Sequence, residues 1–179
     1  MQNPVNTLRF STARLDIRDM APMDCDYAAS EWGHPVYGRY MADPPYAGGD
    51  ELRGILASEL ENHERWTDDF YLSVFLRATG ELVGTACAYE NKEPGDWGIG
   101  YSISHRLWGK GLATELIGGL VRFVEGCGAR KVSAIVAQAN TASVRACARN
   151  GFQIQSEGSF TKGGTKEVHA SYTLCKLLD

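Results

Sequence analysis

The sequence predicts a mixed α/β fold, with a mostly antiparallel central sheet flanked by helices. Three observations carry that expectation. Three strand-like segments follow one another between residues 70 and 104, a strongly amphipathic helical stretch covers residues 112–125, and a strand, a helix and two further strands complete the chain. This order is neither a repeated strand–helix–strand winding nor a tandem array, and 179 residues without a low-complexity linker suit one domain spanning residues 1–179.

The elements are justified in order. Residues 12–19 (TARLDIRD) alternate Leu15 and Ile17 with charged neighbours, as a half-buried strand does. Pro22 suits the first turn of a helix running towards Glu31. Residues 33–50, rich in proline, glycine and aromatics, read as irregular, and Asp50 suits the cap of a helix carrying Leu52, Ile55, Leu56 and Leu60 at helical spacing. Strands are expected at residues 70–77, 81–90 and 97–104, the first two joined by the turn Ala78-Thr79-Gly80, which makes an antiparallel meander. Leu112, Leu116, Ile117, Leu120, Val121 and Val124 mark the apolar stripe of the next helix, ended by Gly126-Cys127-Gly128. Residues 131–137 form a β-branched strand, residues 141–149 a helix closed by Asn150-Gly151, and residues 152–156 and 168–174 closing strands around Gly163-Gly164.

Composition narrows the function classes. A net charge of −4 without a basic run argues against nucleic-acid binding. No cationic leader precedes an apolar stretch and no segment approaches 18 apolar residues, so a cytoplasmic protein without membrane association is expected. Five cysteines, with no Cys-x-x-Cys pair, read as reduced thiols, and four scattered histidines give no metal-binding spacing, so no metal is expected.

The chemistry concentrates in residues 104–114, SHRLWGKGLAT, where a strand end runs through a glycine-bearing turn into the best helix of the sequence. Small residues at Gly109 and Gly111 let backbone amides approach a ligand, and the first turn of the helix adds unpaired donors and a partial positive charge, which suits a phosphate or pyrophosphate. Two familiar phosphate motifs fail here. A Walker loop needs glycine where Ser104 stands and Ser or Thr where Gly111 stands, and the dinucleotide fingerprint needs glycine or alanine where Thr114 stands.

The turn resembles the pyrophosphate loop of the GNAT superfamily of acyl-coenzyme-A-dependent N-acyltransferases, Gln or Arg, two residues, Gly, one residue, Gly or Ala, here Arg106-Leu-Trp-Gly109-Lys-Gly111. Gly100-Tyr101, Trp108 to Gly111 and Ala113-Thr114-Glu115 resemble the RimJ/RimL-type branch, which acetylates protein N-termini, and Asn140-Thr-Ala-Ser143 followed by Asn150-Gly151-Phe152 looks like that family's next helix. The resemblance covers about residues 95–155.

It implies the GNAT fold, acetyl-CoA as cosubstrate and direct attack of an amine on the thioester without an acyl-enzyme. By resemblance the Ile103 amide would bind the acyl carbonyl, as an oxyanion donor does. The amides of Trp108, Gly109, Lys110, Gly111, Leu112 and Ala113 would hold the pyrophosphate, with side-chain contacts from Arg106, Lys110 and Thr114. Asn140 would hold coenzyme A or cap its helix, and Ser143 would donate to the departing sulfur. Many relatives have a tyrosine acid where this chain has Cys147, and a glutamate base where it has Gly98, which leaves Glu90 as the substitute base acting through water and Cys147 as a thiol acid or a core residue. Trp32, Tyr37, Tyr40 and Tyr46, with Glu31, Asp43 and Asp50, lie where the family builds its acceptor wall. The acceptor is a peptide N-terminus or a small-molecule amine. The other reading is an idle coenzyme-A-binding sensor, and a monomer or homodimer suits either.

Overall fold

A computed structural model describes residues 6–61 and 70–178. Eight strands form one sheet: β1 (Leu8–Ser11), β2 (Leu15–Asp19), β3 (Phe70–Leu76), β4 (Leu82–Glu90), β5 (Asp96–Ile103), β6 (Lys131–Ala137), β7 (Gln153–Thr161) and β8 (Val168–Leu177). Four helices accompany it: α1 (Cys25–Gly33), α2 (Gly49–Glu61), α3 (Leu112–Gly126) and α4 (Thr141–Arg149). The strand order is β1-β2-β3-β4-β5-β6-β8-β7, and every neighbouring pair is antiparallel except β5 and β6. The expected mixed, mostly antiparallel architecture is therefore observed.

The two faces of the sheet do different work because successive strand residues point oppositely. On one face Leu72, Val74, Ala86 and Ile99 join Leu116, Ile117 and Leu120 of α3 in the main core. The alternate residues face α1: Ser73 donates to the buried Asp24 carboxylate at 2.7 Å, and Thr85 accepts from the Trp32 indole at 3.1 Å. Trp32, Cys25, Ala28, Ala29, Met20 and Leu52 make a second, smaller cluster there.

Several boundaries depart from the sequence reading. The expected strand at residues 12–19 is a hairpin turn followed by β2, because Thr12 folds back, its amide donating to the Leu15 carbonyl at 2.8 Å and its hydroxyl accepting the Leu15 amide at 3.1 Å. The residues before it form β1, which the sequence reading left out. Pro22 opens a short 3-10 turn, Pro22–Asp24, from which α1 continues. Asp50 does not cap α2, which begins a residue earlier; its carboxylate pairs with Arg53, and Glu51 instead accepts the Ala47 amide at 2.7 Å. The side chains of Leu56 and Leu60 lie outside the described residues. Strands β7 and β8 run longer than expected, to Thr161 and Leu177. Among the described residues, no helix is long and apolar enough to cross a membrane.

One topological feature positions the site. The parallel pairing of β5 and β6 covers only Asp96–Gly98 against Lys131–Ser133, whereas β6 pairs with β8 along its whole length. Beyond Gly98 the two strands part, leaving a V-shaped opening. It lies at their C-terminal ends, where α3 and α4 begin.

Candidate active site

The V is walled by the second half of β5. Ser104 donates its amide to the Val83 carbonyl on β4 at 2.8 Å, so alternation along the strand turns the amides of Tyr101 and Ile103 the other way, into the opening. The Ile103 carbonyl on that side accepts the Trp108 indole N–H at 2.7 Å, which fixes the start of the loop to the strand end.

From there the chain makes a 3-10 turn, His105–Leu107, and then two left-handed steps at Gly109 (φ 78°) and Gly111 (φ 77°), a region that costs a side chain of ordinary type strain. Gly111 opens α3 with no side-chain cap, and Glu115 is the first residue to return a helical bond, to the Gly111 carbonyl at 3.1 Å. The amides of Leu112, Ala113 and Thr114 thus precede the first helical bond, and a Cβ built on Gly109 would meet nothing within 4 Å. An open space faced by such amides at a helix N-terminus fits a diphosphate.

The side chains of this loop are distributed unevenly. The Leu112 side chain is buried, so its amide is the group it can offer a ligand. Arg106 is paired with the exposed Glu81, which holds its guanidinium above its ordinary pKa. Lys110 is exposed, and its carbonyl accepts from Arg14 at 2.9 Å. Arg14, absent from the sequence reading, also meets Glu115 through its Nε at 2.6 Å and its amide at 2.7 Å. Burial raises the Glu115 pKa, but hydrogen bonds from Thr12 and Arg14 outweigh it and hold the carboxyl below its usual value. No sequence signal links positions 14 and 115, which lie 101 residues apart.

Across the opening, Asn140 caps α4 by accepting the Ser143 amide at 3.2 Å. Ser143 and Cys147, one turn apart, both face Tyr101 of β5. The Tyr101 hydroxyl lies 2.5 Å from Ser143 Oγ and 3.7 Å from Cys147 Sγ. Burial pushes the Tyr101 phenol well above its ordinary pKa, with Cys147 adding to the rise and the Ser143 bond opposing it. Burial likewise pushes the Cys147 thiol up, against the Tyr101 hydrogen bond. The structure therefore brings Ser143 and Cys147 together, and adds a hydroxyl that the sequence reading had placed only in a motif.

Glu90 is not brought to this group. Its carboxylate accepts the Gly95 amide at 2.6 Å in the β4–β5 turn, and it pairs in register with Trp97, at the closed end of the V. Position 98 is covered as well: a Cβ on Gly98 would stand 2.4 Å from Tyr89 Cζ, so the tyrosine ring fills the place a glutamate would need.

The opposite face carries the aromatic residues. Tyr37 is stacked between His34 (3.8 Å) and His105 (3.6 Å), with Trp108 edge-on at 6.2 Å. Trp32 lies 6.0 Å from Tyr46, and Tyr40 meets His169 edge-on at 5.6 Å. The imidazoles His34, His105 and His169 were not anticipated, since isolated histidines carry no spacing signal. Asp50, paired with Arg53, does not join an acidic rim here.

The sequence profile of the acetyltransferase (GNAT) domain family matches residues 14–153. An uncharacterized N-acetyltransferase, p20, of Bacillus licheniformis is 28% identical over 151 residues, 82% of each chain. A spermidine N-acetyltransferase of Vibrio cholerae, solved with CoA and spermine, superposes with a TM-score of 0.77 at 19% identity, covering 92% of this chain and 96% of that one. A ribosomal-protein-S5-alanine acetyltransferase of Vibrio fischeri gives 0.75 at 16% identity, covering 95% and 96%. At such identities the two solved structures establish a shared fold.

Proposed function

The chain belongs to the acetyltransferase (GNAT) domain family and is an acetyl-CoA-dependent N-acetyltransferase; from that premise we propose that its acceptor is an amine of low pKa, the α-amine of a peptide or protein N-terminus. Proteins named for a spermidine acceptor and for a ribosomal-protein alanine acceptor share the fold, so the fold does not choose between amine classes. The chemistry of β5 supports the choice. Gly98 carries no carboxylate, Tyr89 covers it, and Glu90 is bound to the Gly95 amide. Freeing a lysine-like amine of its proton at pH 7 costs about 4.6 kcal/mol, against about 1.1 kcal/mol for an α-amine. That neither Gly98 nor Glu90 places a carboxylate base suits the second.

In this reading acetyl-CoA supplies the activated acyl group, and the chain's own groups do the rest. Amides from Trp108 to Ala113 hold the diphosphate, with Arg106, Lys110 and Thr114 beside them, and Asn140 sets the start of α4. The Ile103 amide donates to the carbonyl oxygen as it gains charge. The amine nitrogen bonds to the carbonyl carbon, the C–S bond breaks, and the amine proton passes to solvent. The departing sulfur takes a proton from the Ser143–Tyr101 pair, which solvent restores; their 2.5 Å separation is short enough to pass it on. The buried thiol of Cys147, raised by desolvation, is no nucleophile at neutral pH.

Thiol release from acetyl-CoA tests the proposal with an alanine-initiated peptide, spermidine and an aminoglycoside at pH 7. The peptide is expected to give a kcat/KM at least about ten-fold above the others. Faster transfer to spermidine or the aminoglycoside would overturn the acceptor assignment, and binding without release to any amine would favour a sensor.

A further inference from the structure

Lys162 follows β7 immediately and is only 6% exposed. Its ammonium is ringed by four backbone carbonyls, three from the loop after α1, Gly38 at 2.8 Å, Asp43 at 3.0 Å and Met41 at 3.1 Å, and one from the last turn of α1, Trp32 at 3.4 Å. A buried lysine ordinarily pairs with a carboxylate. Here three protons are shared among neutral dipoles that a chain of irregular conformation would not gather unaided. Burial pulls the Lys162 pKa down, while the charges of Asp43 and Glu167 oppose the fall.

The turn after Lys162 seats on the same loop. The Gly163 amide donates to the Ala42 carbonyl at 2.8 Å, and a Cβ on Gly163 would stand 3.0 Å from Pro44 Cδ, so the two segments approach closely. Two contacts tie this region towards β5, one through Thr85 of β4 and one through the turn that follows β5. Trp32, whose carbonyl accepts from Lys162, donates its indole N–H to the hydroxyl of Thr85 on β4, which lies 2.8 Å from that of Ser102 on β5. Tyr37 stacks on His105, two residues beyond Ile103. The cage therefore lies between the β7–β8 turn and the strand against which an amine would be presented.

We propose that Lys162 is a positioning residue for the acceptor: its ammonium gathers residues 32–43 into the wall that seats the amine against β5. The inference rests on the acetyltransferase reading above, and it adds a residue that touches neither substrate. In Lys162→Met, the KM for an alanine-initiated peptide is expected to rise about ten-fold or more while the KM for acetyl-CoA stays within about two-fold. In Lys162→Ala, ammonium chloride is expected to restore much of the loss, and tetramethylammonium chloride of equal ionic strength is not, since only the smaller cation fits the cage. Equal shifts in both KM values, or no rescue, would overturn the proposal.

Hydrogen exchange separates this proposal from the function it rests on and uses the milder Lys162→Gln, which keeps a donor. Amides of residues 34–43 are expected to exchange about ten-fold faster while those of residues 105–114 stay unchanged. Unchanged exchange in the loop would refute the role of Lys162 whatever the activity. Loosening of the loop in a protein whose wild type transfers to no amine would refute only the acceptor reading.

Discussion

The two sides of the proposed site are made by opposite means. The side proposed to hold coenzyme A is local. Residues 99–114 carry a strand end, two left-handed glycines and an uncapped helix start within one short stretch, and its donors are backbone amides. The side proposed to seat the acceptor is assembled from afar. Its loop is held by Lys162, which lies 119 residues beyond Asp43, and its aromatic stack is completed by His105. A diphosphate looks much the same in every reaction, and amides in fixed conformation suffice for it. An acceptor varies, and a loop whose shape is set by distant side chains can change without disturbing the amides.

The largest expected effect falls on the local wall. Gly109→Val or Gly111→Val forces a β-branched residue to a positive φ, at a strain of about 1–3 kcal/mol, and screens the amides. Titration calorimetry is expected to show acetyl-CoA affinity falling about 100-fold or more, with circular dichroism unchanged. Unaltered affinity would erase the contrast, because the coenzyme wall would then not depend on its backbone.

A smaller effect is expected where β5 and α4 face each other. Tyr101→Phe leaves Ser143 without its 2.5 Å partner and is expected to lower kcat about 100-fold while coenzyme affinity stays within about two-fold. Ser143→Ala is expected to lower kcat less, and Cys147→Ala to retain substantial activity. A dead but folded Cys147→Ala protein would invert this order and make the thiol the acid.

The mildest expectation concerns pH. Burial raises the Tyr101 pKa, so its hydroxyl keeps its proton through the neutral and mildly alkaline range. The rate is then governed by the acceptor: log kcat/KM for a peptide amine rises with unit slope and levels near pH 7.8, the ordinary α-amine value, give or take about half a unit. A fall in rate between pH 8 and 10 would show an enzyme acid losing its proton there, contrary to the burial of Tyr101.

The same contrast explains what could be read in advance. The span from β5 to α4 was legible because glycines punctuate it and Leu112, Leu116, Leu120 and Val124 repeat at helical spacing. β1 was not, since three of its four residues are exposed and its turn, Thr12-Ala13-Arg14, holds no Gly, Pro or Asn. The second half of β7 escaped for a similar reason: apart from the half-buried Phe160 it is exposed on both faces, so alternation carries no burial signal. Tyr101 stands in the sequence as part of a motif, but its role beside Ser143 carries no signal there, because its partner hydroxyl belongs to a helix 42 residues away. Lys162 has the composition of a surface residue, and only the folded chain reveals the carbonyls around it. Glu90 stood at the right strand but at the wrong end, where its turn consumes the carboxylate.

The central claim is that amides of the turn opening α3 grip the diphosphate, and amide chemical shifts of a ¹⁵N-labelled protein titrated with coenzyme A test it most directly. The expected result is that the largest, saturable shifts fall on Gly109, Gly111, Leu112, Ala113 and Thr114. Shifts confined to other segments, with those five amides unmoved at saturation, would contradict the account.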